Sequence, residues 1–154
     1  MVKLVISIAV CLLAGIIGSV FTTPSIPTWY AALNKPSFNP PNWIFGPVWT
    51  TLFILMGIAV NLIWREGVER KEVRIALSLF GIQLALNVLW SFLFFGFHSP
   101  LYAFMEIIIL WSTILLTIIY FWWISKTAGL LLLPYILWVS FAAFLNFFIW
   151  RINP

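Results

Sequence analysis

Five apolar runs fill most of this chain: roughly Leu4–Thr22, Trp43–Trp64, Ile75–Phe97, Leu101–Trp123 and Ala128–Trp150. Each is close to the ~20 residues that an α-helix needs to cross the hydrocarbon of a bilayer. None alternates with the period of two expected of a barrel strand. A chain of 154 residues that is 64% hydrophobic and 8% charged has too little interior to hide such a surface from water. Its mean hydropathy is +1.10. Lipid must be the solvent, so backbone polar groups have to be satisfied within each segment. The expected fold is an all-α membrane protein, a single domain over residues 1–154 built as a five-transmembrane-helix bundle.

The same composition excludes several functions. The net charge of +4 is a small excess placed in loops, with no basic stripe, so nucleic acid is not an expected partner. Cys11 is the only cysteine and His98 the only histidine, which leaves no intramolecular disulfide and no multi-ligand metal site. No nucleophile–base pair is evident, so no catalytic residue is assigned and no cofactor is required.

The first run has Lys3 before it, as a signal peptide would, but Phe21-Thr22-Thr23-Pro24 lacks a small-x-small cleavage site. We expect a retained helix. Ser7, Cys11, Ala14, Gly15 and Gly18 fall along one stripe of it, where small side chains permit close helix approach. Five spans put Lys3, Arg65, Arg70, Lys71, Arg74 and Lys126 on one side and only Lys35 and Arg151 on the other. The positive-inside rule then places the N-terminus in the cytoplasm and the C-terminus outside, for insertion into a prokaryotic plasma membrane.

Between the first two runs the stretch Trp29–Trp49 reads WYAALNKPSFNPPNWIFGPVW. Pro36, Pro40, Pro41 and Pro47 remove backbone donors and bias their predecessors towards extended geometry. A water-exposed loop would carry Ser, Gly, Asp and Lys, whereas this one carries Trp29, Tyr30, Phe38, Trp43, Phe45 and Trp49. A stiff aromatic loop is suited to lie against an apolar surface. We expect an ordered lid on the outer side.

Helical wheels locate the polar groups. In the third run Gln83, Asn87, Trp90, Ser91 and Phe94 share a face that should point into the bundle. Ser78, Gly81 and Ala85 lie opposite, with Gly81 and Ala85 spaced small-xxx-small. That face suits either a neighbouring helix or a second protomer, and we expect a homodimer because the other face is committed inwards. In the fourth run Glu106 stands inside apolar sequence, on one face with Tyr102, Thr113, Thr117 and Tyr120. An ionisable group there avoids lipid. It serves either as a packing carboxyl bonded to a hydroxyl or amide, or as a ligand contact. The fifth run gives Tyr135, Trp138, Ala142, Leu145 and Ile149 one face, with Asn146 at its margin and Pro134 set to kink the helix. The second gives Trp49, Phe53, Met56 and Val60.

Depth brings these faces together. Trp49 and Glu106 lie about six residues in from the outer side, about 9 Å at the helical rise. Asn87 is about ten residues from its outer end, Ala142 and Asn146 are at similar or shallower depth, and Trp138 is nearer the midplane. An interfacial aromatic belt accounts for Trp64, Trp122, Trp123 and Trp150, but not for so deep an indole or for buried amides. We expect an aromatic cavity with a few placed polar groups, the usual form of a small-molecule site.

The lid sequence, QLALNVLWSFLFFG at Gln83–Gly96 and LPYILWVSFAAFLNFFIW at Leu133–Trp150 resemble the translocator protein / tryptophan-rich sensory protein family, TspO/MBR. Glu106 resembles an acid early in the family's fourth helix. The resemblance covers nearly the whole chain. It implies a five-helix bundle, usually dimeric, with a ligand pocket beneath the first loop. Carried over by motif, that pocket would include Trp49, Phe53, Asn87, Trp90, Trp138, Ala142 and Leu145, with Tyr30 and Pro41 from the lid. It implies a receptor or carrier for porphyrins such as protoporphyrin IX and related hydrophobic ligands, with a sensory or stress-related role. Porphyrin would stack without iron ligation, and Lys35 is a candidate partner for a propionate. Light- or oxygen-dependent porphyrin breakdown and lipid or sterol transport are the alternatives. LNFFIWR places Phe147 where the sterol-recognising relatives carry Tyr, which argues against sterol.

Overall fold

The computed structural model describes all 154 residues and is helical throughout, without strands. Its main helices are α1 (Val2–Ser25), α2 (Phe45–Trp64), α3 (Lys71–Ser91), α4 (Pro100–Ile124), the short α5 (Lys126–Leu131) and α6 (Leu133–Ile152). With the turns that prolong them they make five helices of 23 to 29 residues, long and apolar enough to cross a membrane.

The boundaries depart from the sequence reading in two instructive places. The first helix does not stop at Thr22: it runs through Pro24 and continues as a π-helical turn, Ile26–Tyr30, so Trp29 and Tyr30 end a span rather than begin a loop. Proline removes a donor, but in apolar surroundings no water replaces the lost bonds, so the helix widens instead of unwinding. A second π turn, Phe92–Gly96, ends the third span. The two turns are joined where the Ser25 hydroxyl donates to the Phe95 carbonyl at 2.6 Å. In the fifth span the kink expected at Pro134 goes further, to a break at Leu132 that divides the span into α5 and α6.

The helices form a ring. α1 packs on α2 and α3, α3 on α4, α4 on α6, and α2 meets the fifth span through α5. Ser7, Cys11, Ala14 and Gly18, at spacings of four, three and four, are the buried stripe of α1. There α2 comes so near that a Cβ built on Gly57 would lie 2.6 Å from the Ile8 Cα. At the lid end α2 makes little backbone contact with α6. The ring is therefore closed at the α5 end and spread at the other.

The lid closes the spread end. Residues 33–41 are non-helical, and a single 3₁₀ turn, Asn42–Ile44, leads into α2. Phe38 packs on Phe141, Phe144 and Phe148 of α6 at centroid distances of 5.6 to 6.3 Å. Asn153, past the end of α6, binds Asn34 from both sides: its Oδ1 accepts from the Asn34 N–H at 2.9 Å and its Nδ2 donates to the Asn34 carbonyl at 2.7 Å. Tyr30 donates its hydroxyl to Asn39 Oδ1 at 3.0 Å.

Candidate functional site

Beneath the lid, where α2 and α6 stand apart, lies a cavity of about 480 Å³. That is in the range of about 300–1,000 Å³ usual for small-molecule sites. α1, α2, α3 and α6 all contribute walls, and α4 contributes none. Trp49, Phe53, Trp90, Phe94, Trp138 and Phe141 supply most of the aromatic surface. Ser19 of α1 and Thr50 of α2 belong to the wall and are both exposed, so the cavity is not sealed there.

The residues singled out from sequence distribute as follows. Tyr30, Trp49, Phe53, Asn87, Trp90, Trp138, Ala142 and Leu145 all line the cavity. Pro41 does not: it is exposed and extended, the residue before the 3₁₀ turn, and its neighbour Asn42 takes the place at the wall. Glu106 does not either. It is buried on α4, and both carboxyl oxygens lack a hydrogen-bond partner. Its expected hydroxyl neighbours are engaged elsewhere, because Thr113 and Thr117 donate to carbonyls of their own helix at 2.9 and 2.8 Å. Tyr102 is exposed. Lys35 is turned back on the lid, donating to the carbonyls of Tyr30 and Leu33 at 2.8 and 3.1 Å with its ammonium over the Tyr30 ring. No charged side chain lines the cavity.

Two polar clusters hold the aromatic walls. Trp90 donates its indole N–H to Asn146 Oδ1 at 3.0 Å, and Asn146 Nδ2 donates to the Pro100 carbonyl at 2.8 Å. One buried amide thus ties α3, α6 and the start of α4. Deeper, Asn87 Nδ2 donates to the Tyr135 hydroxyl at 2.8 Å, and that hydroxyl donates to Gln83 Oε1 at 2.6 Å. Gln83 and Tyr135 are fully enclosed and do not touch the cavity.

Sequence reasoning missed the contribution of α1. Gly15, Gly18, Ser19 and Thr22 form part of the wall. Its signal was the small-residue stripe, read only as a packing surface. Part of that stripe packs and part leaves room. Phe45, Gly46 and Thr50 at the start of α2 were also missed. His98 lies outside the cavity, stacked on Trp29 at 4.6 Å and within 3.3 Å of the Ser25 hydroxyl.

Ser78, Gly81 and Ala85 are exposed on the outer face of α3, and a Cβ on Gly81 would meet nothing within 4 Å. Within one chain that face has no covering helix.

The comparisons with known proteins accord with this architecture. The model of the TspO/MBR family matches residues 7–151. The chain is 48% identical over 151 residues to the tryptophan-rich protein TspO of Chlorobaculum tepidum, covering 98% of this chain and 96% of that protein. It is 38% identical over 139 residues to the Homo sapiens translocator protein, covering 89% and 82% of the two chains. To the tryptophan-rich sensory protein of Cereibacter sphaeroides it is 36% identical over 126 residues, covering 81% and 77%. A five-span bundle matched by this family model over nearly its whole length, with relatives at this identity, belongs to the TspO/MBR family.

Proposed function

We propose that this membrane protein is a receptor or carrier that takes flat, apolar, ring-shaped ligands, tetrapyrroles such as protoporphyrin IX first among them, into the cavity beneath its lid. The observation that carries the reading is the wall itself. Indole and phenyl faces enclose a space with Asn87 as a deep polar contact. Aromatic faces bind a planar ring by offset stacking and edge contacts, each worth about 0.5–1.5 kcal/mol beyond area burial. With no charge in the wall, the carboxylates of a porphyrin belong at the mouth, near water, and its ring inside. The exposed rim at Ser19 of α1 and Thr50 of α2 suits entry of ligands dissolved in lipid. No histidine, cysteine, acidic or basic side chain lines the cavity to activate one of its hydroxyls, which supports binding over catalysis. The names of its relatives, translocator and sensory protein, fit a carrier or a sensor.

The homodimer belongs to the same proposal, with Ser78, Gly81 and Ala85 as its contact face, and so does an outward-facing lid. Titration of protoporphyrin IX into purified full-length protein, read by tryptophan quenching, tests the site. Trp138→Ala and Trp49→Ala should each weaken binding by about two- to tenfold, the worth of one stacking partner. Affinity equal to that of the unaltered chain in both variants would overturn the reading.

A further inference from the structure

The buried chain Met56–Gln83–Tyr135–Asn87 fixes which end of an amide faces the cavity. Its bonds run in one direction. Gln83 Nε2 donates to Met56 Sδ at 3.9 Å, Tyr135 donates to Gln83 Oε1 at 2.6 Å, and Asn87 Nδ2 donates to the Tyr135 oxygen at 2.8 Å. Two polarities of such a chain are self-consistent, because both amides can turn over and the hydroxyl proton can follow. The thioether decides between them. Sulfur here can accept a hydrogen bond but has none to donate. It therefore holds the Gln83 NH₂ towards itself and the Gln83 oxygen towards Tyr135. The tyrosine proton is then spent on Gln83, so Asn87 has to offer Tyr135 its N–H. Asn87 Oδ1 accepts no bond within the protein, yet it is not among the sealed unpartnered atoms, which are the Glu106 oxygens alone. Asn87 lines the cavity, so that oxygen opens onto it.

From this geometry we infer that Tyr135, Gln83 and Met56 are positioning residues for ligand specificity: they set Asn87 as a hydrogen-bond acceptor in the cavity and select ligands that bring an N–H or O–H donor to that point. The inference rests on the cavity being the binding site, but not on the ligand being a porphyrin. Ser19, Thr22 and Tyr30 have likewise committed their protons, to Ile16 O, Gly18 O and Asn39 Oδ1. The indole N–H groups of Trp49 and Trp138 and the hydroxyls of Thr23, Thr50 and Ser91 remain as donors elsewhere in the wall, so the selection is local to Asn87.

Two tricyclic probes of similar size test it: carbazole, whose N–H donates, and fluorenone, whose carbonyl accepts. Binding of each to the detergent-solubilised full chain is measured by calorimetric titration. The readout is the ratio of the two affinities, which a merely structural role would leave unchanged. Tyr135→Phe cuts the chain and lets Asn87 turn. Met56→Leu, close to isosteric and outside the cavity, removes the selector and makes the two polarities equal. Each should lower the carbazole-to-fluorenone ratio by about fivefold relative to the unaltered chain, the net worth of one hydrogen bond. If Tyr135→Phe does not fold, Met56→Leu carries the test alone. A ratio unchanged within twofold in the folded variants overturns the inference while leaving the cavity as a site. Ala142→Trp, which fills the cavity, should abolish binding of both probes. Binding that survives it, or no binding of either probe to the unaltered chain, places the recognition elsewhere and overturns the inference together with the cavity on which it rests.

Discussion

Asn146 and Glu106 are both buried polar residues on packed helices, and their surroundings give them opposite energetic signs. Asn146 spends its oxygen on the Trp90 indole and its nitrogen on the Pro100 carbonyl. Asn146→Leu keeps the volume but leaves a buried indole N–H without a partner. Stability should fall by about 1–2 kcal/mol, measured by thermal unfolding in detergent. Glu106 has no such bonds, and its carboxyl oxygens are sealed without a partner. Replacing an uncompensated buried polar group by an apolar one of similar size is neutral or stabilising. Glu106→Met should therefore unfold at the same temperature or higher, and should bind protoporphyrin IX as the unaltered chain does, since Glu106 is not in the wall. A drop in either would show that the carboxyl has work the packing does not reveal. Sequence made both residues conspicuous, because a polar group in an apolar run needs a reason. It did not supply the reasons. These depend on the register of α6 against α3 and α4, a property of three helices that no one run encodes. Asn87 and Trp138 were easier, since the wheel placed each on an inward face and depth gathered the polar and aromatic groups in the outer half of the bundle.

Helices read well from their apolar runs, and their ends read less well. The spans were legible because ~20 apolar residues leave the chain little choice in lipid. The end of the first was not, because Pro24 and Pro27 signal a stop in water and only a widened turn in an apolar setting. Glycines carry the next level of information, and two of them make opposite predictions. Gly57→Ala would set a methyl carbon 2.6 Å from the Ile8 Cα, so α1 and α2 have to move apart. It should cost about 1–3 kcal/mol, as overpacking does, and show as a lowered unfolding temperature. Gly81→Ala meets nothing within 4 Å and gains helix propensity, so within one chain it should cost nothing. On the proposed dimer face the bulkier Gly81→Leu should instead shift the detergent-solubilised protein towards monomer in light scattering coupled to gel filtration. An unchanged mass would remove α3 from the interface.

At the scale of the molecule, charge and aromatic rings distinguish the two ends of the bundle. Lys3 lies over the Trp64 ring at 5.2 Å and Lys126 over Trp122 at 5.8 Å, which gathers the first span's start, the second span's end and the α4–α5 turn at one level. Arg65, Arg70, Lys71 and Arg74 belong to that same end, in or beside the α2–α3 turn. At the other end the lid is tied to the C-terminus by the Asn34–Asn153 pair, with Lys35 and Arg151 as its basic residues. Cationic loops resist translocation, so the basic end should stay in the cytoplasm and the lid should face outwards, with the cavity in the outer half of the bilayer. The chain lends itself to a direct check, since Cys11 is its only cysteine and is buried. Ser37→Cys puts a thiol on the exposed lid, and Glu69→Cys puts one in the exposed α2–α3 turn. In intact cells a membrane-impermeant maleimide should label the first and spare the second until the membrane is opened. Labelling of the second alone would invert the bundle. The cavity would then lie in the cytoplasmic half of the bilayer and take its ligand from that leaflet.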